Sequence, residues 1–351
     1  MKILFPFIGD TIGGSHKSAI DYIVELKKKN IDEKKLLLKK KSYLSKYLNS
    51  KNLNYDVLDL PVIKLNRNII KIFLSLITGF VKARRYLNQN KIKFVHTNDI
   101  RNHYTWAIWS LFVSNHIWHQ RTMWPKSIFF YFFIFFCKKI FCNSKYLHDK
   151  INFKFIKKKS YLVSNIIYSQ KKYAYKEKNK IIIGSFSNIQ KIKRPDIIID
   201  ILKKIVSKRL NIVIHCFGSD SENLIKKYSK KIIYKENFKY FDHKIDTTSF
   251  MKKCDYVIAT SENDTLGRTI LEAMSFRIPV FATNSGGHKY IIKNNVNGFL
   301  FNIEKNNILK KIQLIQNNKI LKKKIINNAL NYLKEYDKKK ILTQLLNAYE
   351  N

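Results

Sequence analysis

Apolar and polar stretches alternate along the whole chain in a pattern that predicts strands and helices in turn. Short apolar runs bounded by turn residues predict strands, and amphipathic runs between them, such as Lys17 to Lys28, predict helices. The predicted strands are Ile3–Ile8, Lys35–Leu38, Tyr55–Leu58, Phe94–His96, His116–Trp118, Ile140–Cys142, Ile181–Phe186, Ile212–Phe217, Tyr256–Ala259 and Val280–Ala282. Such an alternation is typical of an α/β protein with doubly wound parallel sheets.

A polar, lysine-rich segment divides this alternation into two halves. The length of the whole chain, 351 residues, suits two domains. We predict a first domain over residues 1–168, a linker over 169–180 and a second domain over 181–335. The remaining segment, 336–351, contains a helix from Lys338 to Tyr349 with leucines at helical spacing.

Two runs are unusually apolar. Ile128 to Cys137 reads IFFYFFIFFC, which is shorter than the roughly 20 apolar residues that span a bilayer. A buried helix is the favoured interpretation, and the flanking lysines leave a helix that dips into a membrane surface as the alternative. Ile69 to Val81 is followed by Lys82, Arg84 and Arg85, and the same two interpretations apply to it.

The chain is strongly basic, with a net charge of +42. Lys, Ile and Asn are used so heavily that biased base composition in the source genome is one explanation, and attraction to anionic lipid, nucleic acid or phosphorylated substrate is the functional one. Because the lysines are spread along the chain, we interpret most of the charge as a solvated surface with weak attraction to anionic membrane. Nucleic acid is not favoured as a partner.

Cysteine usage and the first residues bear on the compartment. Cysteines 137, 142, 216 and 254 form no C-x-x-C pair and have no zinc spacing, which favours a reduced, intracellular protein. Met1-Lys2 leads directly into ILFPFIG, which fits a first strand better than a signal peptide. We therefore expect a cytoplasmic protein, with the inner face of the cell membrane as a further location.

The stretch from Cys254 to Phe301 has the most specific order of residues. A predicted strand stops at the polar loop Ser261–Asp264, a helix starts near Leu266, and Pro279 marks its end. Polar residues thus gather where parallel strands end, which is where ligands bind in open α/β sheets.

The start of this predicted helix suits a phosphate. The N–H groups of Gly267, Arg268 and Thr269 lack intrahelical acceptors, and Arg268 adds positive charge. Glu272 can accept hydrogen bonds from a ribose. Each element alone fits an ordinary buried strand–helix–strand unit better, whereas the whole ordered set favours a ligand site.

The stretch resembles the retaining nucleotide-sugar glycosyltransferases of family 4 (glycosyl transferases group 1), whose pattern is E-x7-E followed by a glycine pair. Asp264 stands at the first Glu, and Tyr290 replaces the Glu that follows the glycine pair. The resemblance is strong from Ile181 to Phe301 and looser before. Its matching positions are Ser261, Asp264, Leu266, Gly267, Glu272-Ala273-Met274, Pro279-Val280, Ala282-Thr283, Gly286-Gly287 and Asn297-Gly298.

The resemblance implies the GT-B fold: two Rossmann-like doubly wound domains that face a cleft, with the last helix packed on the first domain. It also implies donor-site roles in the second domain. Glu272 would bind ribose, Asp264 the transferred sugar, and Lys193 and Arg268 the diphosphate. Asn188 stands where the family has an Arg, so this clamp is weaker unless Lys191 or Arg194 compensates.

Further site residues are expected in the first domain. Gly13-Gly14-Ser15 predicts a turn after the first strand, and in the family this glycine-rich loop lies by the donor phosphates and the acceptor. A lone glycine pair is more often just a turn. His119, in preference to His96, is the expected catalytic histidine near the donor sugar. Asn165 matches an Asn before the linker and is interpreted as mainly structural.

The resemblance implies transfer of a hexose, with retention, from a nucleotide diphosphate sugar to a glycan or lipid-linked acceptor. Cell-surface polysaccharide or lipopolysaccharide synthesis is the expected setting. We expect no metal, because no Asp-x-Asp motif flanks the site, and no cofactor beyond the donor. Two alternatives stay open: a GT-B sugar-nucleotide epimerase, and a non-catalytic polyanion or membrane-surface binder derived from this fold.

Overall fold

The computed structural model describes residues 2–8, 12–29, 34–62, 69–125, 128–170, 180–220, 222–224, 236–242, 247–304 and 307–350. The chain divides into two compact units. Unit 1 comprises Met1–Ile166 together with Lys338–Asn351, and unit 2 comprises Ile167–Asp337. Most of the predicted linker, residues 171–179, lies outside the described residues.

Unit 1 contains a seven-stranded parallel sheet in the order β3-β2-β1-β4-β5-β6-β7. Its strands are β1 Ile3–Phe7, β2 Lys34–Leu38, β3 Asp56–Val57, β4 Phe94–Thr97, β5 Asn115–Gln120, β6 Lys139–Cys142 and β7 Ser160–Leu162. Its helices are α1 Gly14–Lys28, α2 Tyr43–Asn49, α3 Ile69–Gln89, α4 Ile100–Trp109, α5 Ile128–Phe135, α6 Lys145–Asp149 and α7 Lys154–Lys158. The strand order reverses between β1 and β4, which makes their carboxyl ends the switch point of this sheet.

Unit 2 contains a six-stranded parallel sheet in the order β10-β9-β8-β11-β12-β13. Its strands are β8 Ile181–Phe186, β9 Ile212–Phe217, β10 Phe238–Phe241, β11 Tyr256–Ala259, β12 Val280–Thr283 and β13 Phe299–Phe301. Its described helices are α8 Pro195–Ser207, α9 Thr247–Met251, α10 Arg268–Ser275, α11 His288–Ile291, α12 Ile308–Asn317 and α13 Lys319–Leu333. Here the switch point lies between β8 and β11.

Every predicted strand is present in the structure, most within one residue at each end. The turn expected at Gly13-Gly14-Ser15 is wrong, because Gly14 and Ser15 already belong to α1. Gly13 is the N-cap residue, and its N–H donates to His16 Nδ1 at 3.2 Å. The imidazole therefore satisfies a backbone donor at the helix start, which lets the helix begin earlier than the apolar pattern indicates.

The last helix, α14 (Lys338–Glu350), belongs to unit 1. Lys139 Nζ donates to Ala348 O at 2.9 Å and to Tyr349 O at 2.7 Å. The carbonyl groups of a helix C-terminus lack intrahelical donors and attract cations, so a buried lysine is a suitable partner for them. Tyr349 itself is buried and bonded to His96.

The two apolar runs are both helices of unit 1, and neither is fully buried. Phe130, Phe133 and Ile134 of α5 pack in a core cluster, as the favoured interpretation predicted, whereas Phe132 and Phe135 are exposed. Several large apolar side chains of α3 are exposed as well. None of the described helices combines the length and apolarity needed to cross a bilayer.

Candidate functional site

The candidate site lies at the switch point of unit 2, where the loops after β8 and β11 meet. The loop after β8 forms a 3-10 turn over Lys191–Lys193, and the β11 loop holds it. Thr260 Oγ1 donates to Lys193 O at 2.6 Å. Thr269 Oγ1, in the first turn of α10, donates to Phe186 O at 2.9 Å. These bonds tie both loops to the helix start and fix Lys193 in the site.

Lys193 and Asp264 form the central ion pair of the site. Lys193 Nζ lies 2.9 Å from Asp264 Oδ2, and Asp264 Oδ1 accepts the N–H of Gly267 at 3.2 Å. Burial raises the pKa of Asp264, but the charge of Lys193, the electrostatic effect of the nearby His288 and the two hydrogen bonds outweigh it and lower that pKa to about 2. The carboxylate is therefore ionised at neutral pH and stabilises the positive end of α10.

Gly267 is the N-cap residue of α10 and adopts a left-handed conformation with φ +75°. A Cβ there would also lie 3.1 Å from His288 Cδ2, so both conformation and space favour glycine. The first intrahelical bond runs from Ile270 N to Gly267 O at 2.9 Å. The N–H groups of Arg268 and Thr269 precede it and project from the helix end. A small cavity lies there, and its lining includes Lys193, Asp264, Gly267, Thr269 and His288.

Arg268 and Glu272, the expected phosphate and ribose residues, contact each other along the surface of α10. Arg268 Nε donates to Glu272 Oε1 at 2.7 Å, and both side chains are partly exposed. They lie one helical turn apart, so this is an i,i+4 ion pair. Both are reachable from solvent, and the guanidinium contacts the carboxylate of Glu272.

Of the two candidates for compensating Asn188, Arg194 is paired with acidic side chains and Lys191 is exposed. Asn188 is exposed, and its Oδ1 accepts the N–H of Ser219 at 3.4 Å. Arg194 is held by two carboxylates: its Nη2 lies 2.7 Å from Asp196 Oδ2, and its Nη1 pairs with Glu262. The hydrogen bonds that Arg194 donates to Asp196 raise the pKa of Arg194 despite some burial, and the charges of both acids add to the shift. The side chain of Lys191 is exposed.

The glycine pair packs against the loop that carries Asp264. A Cβ at Gly287 would lie 2.5 Å from Thr265 O, and one at Gly286 would lie 2.9 Å from Asp264 O. Gly287 N donates to Asp264 O at 2.7 Å. The close backbone approach that these glycines permit is thus to the Asp264 loop, whose position they fix. Tyr290, two residues into the following helix, is exposed.

His288 is a site residue that sequence reasoning missed. It is fully buried and lines the cavity. Its Nδ1 lies 3.0 Å from Thr283 Oγ1, and the hydroxyl of Thr283 donates its own proton to Ser261 O. Nδ1 must therefore be the donor to Thr283, which assigns the proton of the neutral ring to Nδ1 and leaves Nε2 as an unprotonated acceptor. Within the described part of the chain, Nε2 has no hydrogen-bond partner. Burial lowers the pKa of His288 although Asp264 opposes this, so the ring is neutral at pH 7. The sequence feature that could have identified His288 as a site residue is its position directly after a glycine pair at the end of a strand.

The remaining predicted residues lie in unit 1. Gly14 opens α1, and no heavy atom of the described residues lies within 4 Å of the position that a Cβ there would occupy. The space beside this helix start is therefore open. Neither Gly13 nor Gly14 has a positive φ, so their glycine character is not required by backbone conformation.

His119 is fully buried, and both of its ring nitrogens are bonded inside unit 1. Nε2 lies 3.1 Å from Val163 O, which can only accept, so Nε2 carries the proton. Nδ1 then accepts from His96 Nε2 at 3.0 Å, and His96 Nδ1 accepts from the hydroxyl of Tyr349. Burial, followed by the charge of Arg121, lowers the pKa of both histidines well below 6.5. A direct role for His119 at a donor sugar stays a prediction.

Asn165 accepts a hydrogen bond from a buried arginine. Arg121 Nη1 donates to Asn165 Oδ1 at 2.6 Å, and Arg121 Nε donates to Asn98 Oδ1 at 2.9 Å. These residues follow β7, β5 and β4, so they connect three strand ends of the first sheet. This is the structural role expected of Asn165.

Known proteins resemble this chain in sequence and in fold. Residues 169–332, which include the whole unit 2 site, match the family model described as Glycosyl transferases group 1. An uncharacterized glycosyltransferase of Methanocaldococcus jannaschii is 27% identical over 220 residues, covering 60% of this chain and 59% of that protein. The poly(ribitol-phosphate) alpha-N-acetylglucosaminyltransferase of Staphylococcus aureus is 28% identical over 177 residues, covering 48% and 35%. The chain thus matches about three fifths and about a third of the length of these relatives.

Among solved structures, Anabaena HepE in complex with UDP and glucose superposes with a TM-score of 0.82 at 17% identity, covering 100% of both chains. Together with the two parallel sheets, this similarity defines the class: the chain has the GT-B fold. Residues 169–332 resemble glycosyl transferases group 1. The narrower assignment to family 4 stays a prediction.

Proposed function

We propose that this protein is a glycosyltransferase that moves a hexose from a nucleoside diphosphate sugar to a glycan or lipid-linked acceptor. The observation that carries the proposal is the Lys193–Asp264 pair at the N-terminus of α10, with Glu272 one turn into the helix. This arrangement lies at the switch point of a parallel sheet, within the residues that match the family.

Lys193 and the start of α10 are suited to hold the donor diphosphate. As the bond between the sugar and the phosphate breaks, negative charge develops on the leaving diphosphate, and a fixed cation and helix N–H groups stabilise it. A bound diphosphate would compete with Asp264 for Lys193. Asp264 would then face the sugar, as the resemblance implies, while Glu272 would leave Arg268 and accept hydrogen bonds from the ribose hydroxyls.

His288 is added to this set by its geometry. Its Nε2 is an acceptor without a partner among the described residues, and the ring lines the cavity with Lys193 and Asp264. An unpaired buried acceptor costs free energy, which a hydroxyl donor from a ligand would recover. We propose that His288 Nε2 accepts a hydrogen bond from a hydroxyl of the transferred hexose.

We propose that the transfer retains the anomeric configuration. The acceptor oxygen attacks the anomeric carbon on the face that the diphosphate leaves, the bond from that carbon to the phosphate oxygen breaks, and the acceptor proton passes to the departing phosphate. This route relies on positioning and charge stabilisation, so we assign no protein nucleophile. We also propose that no metal ion takes part, with Lys193 supplying the positive charge.

The donor and the setting follow from similarity and are proposals. HepE has been solved with UDP and glucose, so UDP-hexoses are the first donors to test. The Staphylococcus aureus relative acts on poly(ribitol-phosphate), a polymer, which supports an acceptor in polysaccharide or cell-envelope synthesis. We place the reaction in the cytoplasm at the inner face of the cell membrane.

The test is a thermal-shift and hydrolysis panel of UDP-, GDP- and ADP-sugars, followed by calorimetry on Glu272→Ala. We expect one donor to stabilise the protein and the variant to bind its nucleotide at least tenfold more weakly, since hydrogen bonds to charged groups contribute about 1.5–3 kcal/mol. Asp200→Ala is the matched control, because Asp200 is an exposed helix acid paired with Lys203 at i,i+3. Equal affinity of the wild type and both variants would overturn the ribose assignment.

The net charge of +42 favours one second candidate, a non-catalytic polyanion binder that has kept the fold. The exposed Asn188 in place of a diphosphate-binding Arg fits this candidate as well. It predicts nucleic-acid binding that falls steeply with salt, together with no response to any nucleotide sugar. Turnover of a donor in the absence of an acceptor to an isomeric sugar nucleotide would instead indicate an epimerase.

A further inference from the structure

Helix α3 of unit 1 exposes an apolar stripe along one face. The spacing of its five side chains is i, i+3, i+4, i+7 and i+11, which places them on a single side of a helix. Each is more than half exposed: Ile70 62%, Phe73 64%, Leu74 54%, Ile77 53% and Val81 61%. We call this set the α3 stripe.

The opposite face of α3 is firmly packed, so the stripe is not the result of a loosely placed helix. Gly79 lies against the ring of Trp109, where a Cβ would be 2.2 Å from Cζ2. Trp109 Nε1 donates to Leu76 O at 2.9 Å. Ala83 and Leu87 are fully buried in the same core cluster. Any rotation of α3 that buried the stripe would break these contacts.

Neighbouring helices extend the apolar surface. Helix α3 packs on α4, and α4 packs on α5. These three helices precede β4, β5 and β6, which follow one another in the sheet, so right-handed crossovers place them side by side on one face. Phe132 and Phe135 of α5 are 56% and 68% exposed, and Phe112 after α4 is 98% exposed. Large exposed apolar surfaces of this kind mark interaction sites.

Basic side chains accompany the stripe. Lys82 and Arg85, within the helical turn after Val81, are exposed, and the Arg84 guanidinium lies 4.9 Å from the ring centre of Phe80. An apolar face flanked by Lys and Arg is the pattern of helices that lie in a membrane interface. A second copy of this chain fits the surface poorly, because two molecules of net charge +42 repel each other.

We propose that the α3 stripe, continued by Phe132 and Phe135, is a surface that docks on anionic lipid bilayers. The apolar side chains enter the boundary between headgroups and acyl chains, and Lys82 and Arg85 contact anionic headgroups. The inference rests on unit 1 alone and does not depend on the donor chemistry proposed for unit 2.

The test is flotation with vesicles of phosphatidylcholine, with and without 30% phosphatidylglycerol. We expect the wild type to bind the anionic vesicles and to lose binding in high salt and on pure phosphatidylcholine. The double variant Phe73→Gln/Ile77→Gln should partition at least tenfold more weakly, because two apolar side chains no longer leave water. The control Leu314→Gln/Ile320→Gln changes two exposed apolar helix residues of unit 2 and should alter partitioning less than twofold.

Three results would overturn the proposal. The wild type could fail to bind anionic vesicles, or both double variants could lose binding equally. Alternatively, light scattering could find a dimer that Phe73→Gln/Ile77→Gln dissociates while vesicles do not bind, which would assign the stripe to a second copy. Circular dichroism establishes that each variant is folded, and a nucleotide thermal shift on the same samples reports unit 2 separately.

Discussion

Unit 1 should unfold in mild acid, because it buries four neutral histidines. His96, His103, His116 and His119 are at most 2% exposed. Burial lowers the pKa of each, to about 3 for His116 and well below 6.5 for the others. Their nitrogens are bonded within the core; the hydroxyl of Thr97, for instance, lies 2.8 Å from His116 Nε2.

The direction of the effect follows from comparing protonation in the two states. An unfolded histidine has a pKa of about 6.5 and takes up a proton as the pH falls through that value, whereas these four stay neutral in the folded state. Their contribution to stability is therefore present above pH 6.5 and is lost as the pH falls toward the folded-state pKa values. Below pH 6.5 each loses roughly 1.4 kcal/mol per pH unit, and little is lost between pH 7 and pH 6.5, so the four together lose about 5 kcal/mol between pH 7 and pH 5.5. That is comparable with the whole stability of many domains.

Urea unfolding at pH 7, 6.5, 6 and 5.5, followed by tryptophan fluorescence, measures this loss. The tryptophans at 106, 109, 118 and 124 all lie in unit 1, so the signal reports that unit. Salt at 0.5 M screens the general repulsion of a basic protein. His116→Gln should reduce the dependence on pH, whereas His148→Gln, a change at a partly exposed site, should not. A free energy of unfolding that changes by less than about 1 kcal/mol from pH 7 to 5.5 would refute the reasoning.

Three further predictions concern the site of unit 2. Lys193→Ala should lower turnover about 100-fold, because the leaving diphosphate loses the cation that stabilises its negative charge. The control Lys191→Ala changes an exposed lysine and should alter turnover little. Equal effects of the two variants in a steady-state assay would contradict the role of Lys193. Gly287→Ala places a Cβ against a backbone carbonyl oxygen and should destabilise the protein by about 1–3 kcal/mol in thermal unfolding. The control Gly14→Ala adds a Cβ where no described atom lies close and should leave the stability unchanged. His288→Phe should raise the KM for the donor about tenfold, and an unchanged KM would remove His288 from the site.

The strands were predictable from sequence because buried parallel strands are continuous apolar runs. Three of the described strands that the pattern missed are short: β7 Ser160–Leu162, β10 Phe238–Phe241 and β13 Phe299–Phe301. Ser160 and Lys239 interrupt the apolar pattern in the first two, and β13 has only three residues. Their pairing is decided by neighbouring strands, which a local pattern does not contain.

The candidate site was predictable in its order of residues but not in its contacts. The motif placed Asp264, Gly267 and Glu272 around one helix start, where the structure has them. It could not indicate that Arg268 pairs with Glu272, or that Thr283 fixes which nitrogen of His288 is left as an acceptor. Such details depend on side-chain geometry that develops only when separate segments pack together.

The α3 stripe shows a related limit of periodicity. The segment Ile69–Val81 is apolar on more than one side, so spacing alone could not decide which side faces the core. The contacts of Gly79 and Leu76 with Trp109 decide it, and they involve residues 30 or more positions later in the chain.

Because α14 completes unit 1, the folding order of the chain during synthesis differs from its sequence order. The sheet of unit 1 is encoded by residue 166, but Tyr349, which bonds His96 in its core, is synthesised only after the whole of unit 2. Unit 2 is encoded entirely between these points and can close its own core first. We expect that the core of unit 1 stays partly exposed in a nascent chain that lacks α14. In chains that terminate early, chaperones or proteases would therefore recognise unit 1 rather than unit 2.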